Sequence, residues 1–195
     1  MSRSLPLKSS EALGDEELVR RALRGDRWGR EMLYRRHAGT LLAMTTRLLG
    51  NRGEAEEVVQ DTFVTAFERL ETLRDPGAVG GWLGQVAVNL VRRRFRKLRL
   101  LRFLGLDNGA DDATLEALAD GSVPTDERAE LALVDRKLRA LKPEVRLAWT
   151  LRRVEGLELA EVASLARCSL ATTKRRIAAG DAVLDPQGSS PEALS

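Results

Sequence analysis

Seven of the eleven residues from Arg92 to Arg102 are Arg or Lys, and none is acidic. About two cations satisfy the dipole at a helix end, so a run this one-sided asks for a polyanion. Nucleic acid is the commonest such partner, and Arg forks suit its phosphates. Arg92, Arg93 and Arg96 therefore stand out, together with Gln85 and Asn89 on the same helical pattern. An Asn in mid-helix costs propensity, yet its amide both donates and accepts, which suits contact with a base. It is equally readable as a tolerated exposed residue. Trp82 is read in two ways: plain core, or the backing of a loop that receives an unstacked base. A second group is Glu57, Gln60 and Asp61, set beside a long apolar stripe. Such a patch serves as the wet face of a helix, or its carboxylates dock a basic helix of a protein partner.

Chemistry of other kinds finds no residues to carry it. There is no Gly-rich phosphate loop, no His-Glu-x-x-His and no Gly-x-Ser-x-Gly. His37 follows Arg35 and Arg36 and reads as a surface or packing residue. Cys168, the one cysteine, reads as a small residue filling a turn. No catalytic set, metal site or cofactor is expected, and the chain is not expected to be an enzyme. A single cysteine forms no internal disulfide. No apolar run approaches the roughly 20 residues that span a bilayer, and the N-terminus lacks a secretory h-region. These features predict a soluble, cytoplasmic protein without membrane insertion.

The elements that must position those residues are helices. Of 195 residues, 43% are hydrophobic and 31% charged, with only 4% aromatic. Leu, Ala, Arg and Glu dominate, all good helix formers. The formal charge of +3 divides unevenly: residues 26–104 carry +6, residues 105–127 carry −7, and residues 128–184 carry +5. The predicted fold is all-α: two small helical domains, residues 12–104 and 128–184, joined by a flexible acidic linker at 105–127. Residues 185–195 read as a disordered tail.

Four helix patterns fill the first domain. Asp15 is expected to cap the first, with Leu18, Val19, Ala22 and Leu23 on its apolar side and Gly25 as its end. The second runs from Arg27 to about Leu49, with Gly50 as stop. Its buried candidates are Trp28, Met32, Leu33, Leu41, Leu42, Leu48 and Leu49. Asn51 and Glu54 form a cap pair for the third, whose stripe from Ala55 to Leu70 repeats at three- and four-residue steps. A loop at 72–81 follows, and the fourth starts near Trp82. The second domain reads as four more helices. Leu131, Val134, Leu138 and Leu141 form one stripe, and Pro143 opens the next helix. A short helix at Leu159–Ala166, a tight turn at Arg167-Cys168-Ser169, and a last helix capped by Ser169 make a helix-turn-helix. The last helix presents Thr172, Lys174, Arg175 and Arg176, the arrangement that enters a DNA major groove.

Taken together, these segments resemble the sigma factors of bacterial RNA polymerase. Glu31-Met-Leu-Tyr-Arg-Arg-His, Glu56-Glu-Val-Val-Gln-Asp-Thr-Phe and Trp82-Leu-Gly-Gln-Val-Ala-Val-Asn-Leu are similar to region two. Leu141-Lys-Pro-Glu, Val154-Glu-Gly-Leu, Ala160-Glu-Val-Ala and Thr172-Thr-Lys-Arg-Arg-Ile are similar to region four. The pattern is that of the extracytoplasmic-function group, which keeps only these two regions. The resemblance implies a transcription initiation factor that binds core RNA polymerase and directs it to promoter DNA. It implies that Glu57, Gln60 and Asp61 dock on the polymerase. Trp82, Gln85, Asn89, Arg92, Arg93 and Arg96 then serve the minus-ten element, with the 72–81 loop and Asn89 capturing a flipped base. Thr172, Lys174, Arg175 and Arg176 read the minus-thirty-five element. An anti-sigma protein is a further implied partner. Two departures stand out. Glu158 occupies a cap position where relatives carry Ser or Thr. Ala178-Ala-Gly-Asp181 stands where relatives are often basic, and Gly180 is expected to weaken or end the last helix. That departure motivates an alternative: a polymerase-binding adaptor or decoy without specific promoter recognition.

Overall fold

The computed structural model describes residues 13–104, 133, 134 and 136–184. Those residues are helical, with no strand among them. The acidic linker and the tail lie outside them, as does Leu131. The helices are α1 (Asp15–Leu23), α2 (Arg27–Leu49), α3 (Arg52–Glu68), α4 (Val79–Phe103), α5 (Pro143–Arg153), α6 (Leu159–Ala166) and α7 (Leu170–Leu184), and residues 133, 134 and 136–140 are helical too.

Local chemistry sets most of the helix ends. The Asp26 side chain accepts from Trp28 N at 2.9 Å, opening α2, and Gly50 closes it with φ 76°. The Asn51 side chain accepts from Glu54 N at 3.0 Å, opening α3 as the cap pair predicts. Ser169 accepts from Thr172 N at 3.2 Å and opens α7. The expected role of Asp15 is corrected. Gly14 occupies the cap, Asp15 is the first helical residue, and its carboxylate turns to α2, 2.7 Å from Arg36 Nη1 and 3.2 Å from His37 Nε2. The α1 acids still favour the positive end of the helix dipole. Leu23, expected inside, is 44% exposed, because the α1 stripe ends at Ala22. At the other departure, Glu158 N donates to Glu161 Oε2 at 2.9 Å, which satisfies one of the free donors at the start of α6.

In the first domain, α2 packs against α1, α3 and α4, and α3 against α4. The core takes Leu18 and Val19 from α1, Leu33 and Leu48 from α2, and Val58, Val59 and Phe63 from α3. α4 adds Leu83, Ala87 and Val91. Each large aliphatic side chain so buried contributes about 1.5–3 kcal/mol before its entropy cost. The 72–81 segment is shorter as a loop than expected. Single 3₁₀ turns occupy Leu70–Thr72 and Pro76–Ala78, and α4 begins at Val79. Val79 is 1% exposed, so its burial starts the helix three residues ahead of Trp82.

In the second domain, α5 packs on α6 and α7. Leu138 and Leu141 are buried as predicted, whereas Val134 is 36% exposed. Gly180 does not end α7, which runs through it to Leu184. A Cβ at Gly180 would lie 2.5 Å from Trp149 Cδ1, so the glycine lets the indole lie directly on the α7 backbone. The next residue, Asp181, accepts from Trp149 Nε1 at 2.9 Å and pairs with Arg153 at 2.7 Å. Its carboxylate holds the Arg153 guanidinium above its ordinary value. Half of the Ala-Ala-Gly-Asp departure is therefore an internal clasp.

The two domains are in contact. α2 meets α5 and α4 meets α6, and Leu147, Leu151 and Val162 join the same hydrophobic cluster as Leu83 and Val88. Arg47 donates to Glu155 across this joint at 2.7 Å. Arg146 is 7% exposed and stands 6.0 Å above the Phe95 ring. A Cβ at Gly50 would sit 3.0 Å from Arg146 Nη1, so the glycine that ends α2 also admits this second-domain arginine.

Candidate functional site

The α3 helix buries Ala55, Val58, Val59, Thr62, Phe63 and Ala66. That geometry forces Glu57, Gln60 and Asp61 outward, and all three are exposed. Their spacing places them on one strip of surface. Val64 continues the strip by one turn and is 58% exposed. Sequence reasoning passed over Val64, although an apolar residue off the core stripe was the signal. The strip thus offers two carboxylates, an amide and an apolar contact together.

Along α4, Trp82, Gln85, Asn89, Arg92 and Arg96 recur at three- and four-residue steps and form a single stripe. Trp82 is half-buried against the core, while Gln85, Asn89, Arg93 and Arg96 are exposed. Asn89 Oδ1 lies 3.5 Å from Arg92 Nη1, at the limit of a hydrogen bond. Arg92 differs from its neighbours in the run. Burial at the joint, then the charges of Arg167 and Arg96, hold its guanidinium below the ordinary value. Arg167 belongs to the helix-turn-helix turn and is the one non-glycine residue with positive φ, 48°, among the described residues. Gln85 lines a cleft of about 540 Å³ between the domains, with Gly81 and Gly84 on one side and Ala160, Glu161 and Ser164 on the other. At Gln85 and Arg92 the α4 stripe therefore borders the second domain, a neighbour that periodicity alone does not reveal.

Arg94 lies off that stripe and turns to α3. Its Nη1 donates to Glu54 O at 3.0 Å and its Nη2 donates to Glu57 Oε2. In α7, burial of Thr173, Ile177 and Gly180 turns Lys174 and Arg175 to solvent, along with Ala178 and Ala179. The other two reader candidates are less free. Thr172 is half-buried, donating its N–H to Ser169 Oγ. Arg176 is half-buried and directs Nη1 to Cys168 Sγ at 3.4 Å. Cys168 itself is partly buried, 3.2 Å from Thr173 Oγ1, which fits the turn-filling role expected of it. Among the described residues no group of His, Cys, Asp and Glu is arranged to hold a metal.

Comparison with known proteins decides the family. The chain is 31% identical over 172 residues to the RNA polymerase sigma-H factor of Pseudomonas aeruginosa, covering 84% of this chain and 88% of that one. It belongs to the extracytoplasmic-function sigma factors. Within this sigma factor, residues 33–100 match the sigma-70 region 2 family. It is also 26% identical over 174 residues to the extracytoplasmic-function sigma-E factor of Escherichia coli, covering 86% of this chain and 91% of that one. Among solved structures it resembles CnrH in complex with the cytosolic domain of CnrY, with TM-score 0.55, 27% identity, and coverage of 88% and 95%. The sigma factor RpoE of Bartonella quintana, solved with the anti-sigma factor NepR, shares the fold at TM-score 0.61 and 19% identity, with coverage of 80% and 94%. No helix among the described residues of this sigma factor is long and apolar enough to cross a membrane.

Proposed function

We propose that this sigma factor binds core RNA polymerase and directs it to specific promoters, which it recognises and helps to open. The observation that carries the reading is the division of labour across α3 and α4. One helix presents an exposed acidic strip, the other a stripe of amides and arginines, and the two are packed back to back. The acidic strip of Glu57, Gln60 and Asp61 suits a basic helical partner in the polymerase. On α4, Asn89 and Gln85 can read an unstacked base, while Arg92, Arg93 and Arg96 hold phosphates and set register. Trp82 supports this face from beneath.

In the second domain, Lys174 and Arg175 carry the minus-thirty-five contact, and Ala178 beside them offers a methyl surface suited to thymine. Thr172 and Arg176 shape the turn more than they reach outward. Two weak DNA contacts on one polymerase reinforce each other through effective concentration. The chain then works in the cytoplasm, where promoter and polymerase are, and itself performs no catalysis. An anti-sigma protein is the expected partner of the inactive state. The adaptor alternative rested on the Ala178–Asp181 departure, and the packing of Gly180 and Asp181 gives half of that segment a structural reason.

The test is transcription in vitro with core polymerase and a pool of genomic promoter fragments. Start sites sharing one upstream motif pair, lost on Asn89→Ala and weakened on Lys174→Ala with Arg175→Ala, are the expected result. Core binding without defined starts would favour the adaptor, and absence of core binding would overturn both.

A further inference from the structure

Arg94 lies inside the basic run, yet its guanidinium does not join the nucleic-acid face. It reaches across the α3–α4 seam, with Nη1 on the carbonyl of Glu54 at 3.0 Å and Nε 3.7 Å from the Glu54 carboxylate. Nη2 pairs with the carboxylate of Glu57. The Arg94 and Glu54 side chains are 29% and 25% exposed, whereas Glu57 is 65% exposed. A guanidinium anchored at two inner points thus holds one outer carboxylate.

We infer that Arg94 is a positioning residue for the polymerase-docking strip: anchored on Glu54, it fixes the rotamer of Glu57 so that the free carboxylate oxygen meets a cationic helix of the polymerase. This rests on the docking reading proposed above. The physics favours it. A free Glu on a helix surface loses side-chain entropy when a partner immobilises it, and an existing clamp removes that cost beforehand. The planar fork of Arg bridges a carbonyl and a carboxylate together, which the single ammonium of Lys does not. One carboxylate oxygen on Arg94 leaves the second oxygen's lone pairs for the partner. The same geometry removes Arg94 from phosphate binding, so the run serves two surfaces rather than one.

The experiment is a double-mutant cycle on the full chain, reading affinity for core polymerase without DNA, alongside thermal melting. Arg94→Gln is expected to weaken core binding roughly fivefold in the wild-type background. In a Glu57→Gln background it is expected to weaken binding by less than about twofold. Arg94→Lys is expected to recover part of the loss. Equal losses in both backgrounds would mean a structural role only and would overturn the inference, as would an Arg94→Gln variant with wild-type affinity. If Glu57→Gln itself leaves core binding unchanged, the docking strip is misplaced and the inference falls with it. If Glu57→Gln weakens binding and Arg94→Gln does not, the inference alone falls. Should Arg94→Gln melt early, the cycle is run with Arg94→Lys, where the same coupling is expected at smaller amplitude and its absence overturns the inference.

Discussion

Arg92 and Arg94 are two residues apart in one helix and live in opposite electrostatic surroundings. Across the α3–α4 seam, Arg94 meets the Glu54 and Glu57 carboxylates. On the side of the second domain, burial and then the charge of Arg167 hold the Arg92 guanidinium below the ordinary value. The first seam is stitched by opposite charge over an apolar core. The second combines apolar contacts and the Arg47–Glu155 pair with a repulsion at its edge. The difference teaches that one basic run faces acidic neighbours on one side and a cationic one on the other. The first keeps the acidic α3 strip and the amide and arginine stripe of α4 in fixed relation. The second runs beside that stripe, at the cleft lined by Gln85 and at half-buried Arg92.

The comparison breaks most severely if a domain loosens before the joint does. Gly180→Val drives a side chain into Trp149, where even a Cβ would sit 2.5 Å from the ring. Overpacking of that kind is expected to cost about 2 kcal/mol. Urea denaturation should show the second domain unfolding earlier, with the first domain's transition unchanged.

A more direct attack is Glu155→Arg, which sets two cations against each other where Arg47 and Glu155 now pair at 2.7 Å. Both side chains are partly solvated, so the expected shift toward separated domains is about 1–2 kcal/mol. Small-angle X-ray scattering should report a larger radius of gyration for the free chain, with helix content intact.

Arg167→Glu works the other way and sharpens the contrast. It replaces the repulsion on Arg92 with attraction, worth about 0.5 kcal/mol at a solvated edge. Hydrogen exchange in α6 should slow at low salt, and the slowing should fade as salt screens the pair.

The smallest effect is an acid dependence within α1, away from both joints. Glu17 in α1 lies below the usual carboxylate range, first because Arg21 donates to it and further through Arg20. A lowered folded-state value means that this stability is present in full above the unfolded value near 4.5. It is lost as pH falls through the folded value. Wild type minus Glu17→Gln melting temperatures should converge over that acid range.

What was legible in the sequence had local causes. The bounds of α2 follow from Asp26 and Gly50, and those of α6 match the short helix expected at Leu159–Ala166. Glu57, Gln60 and Asp61 came out exposed because the α3 period leaves them no other side. Long-range partners account for the misses. Gly180 read as a helix breaker until Trp149, distant in the chain, was found lying on it. Arg94 is one arginine among many in its run, and only the approach of α3 distinguishes it. Arg176 and Thr172 are a local exception, engaged by Cys168 and by the Ser169 cap of the adjoining turn. The facing of α4 toward the second domain has no periodic signature at all.

The three tryptophans fall in three different packing environments. Trp28 lies under the Arg21 guanidinium between α1 and α2, Trp82 is half-buried in the α4 stripe, and Trp149 is hydrogen-bonded to Asp181 on Gly180. Each indole therefore carries its own optical signature. With two of the three replaced by Phe in turn, emission from Trp82 reports changes at the α4 stripe. Trp149 reports the integrity of the second domain through its bond to a carboxylate. Trp28 alone reports the α1–α2 packing under Arg21.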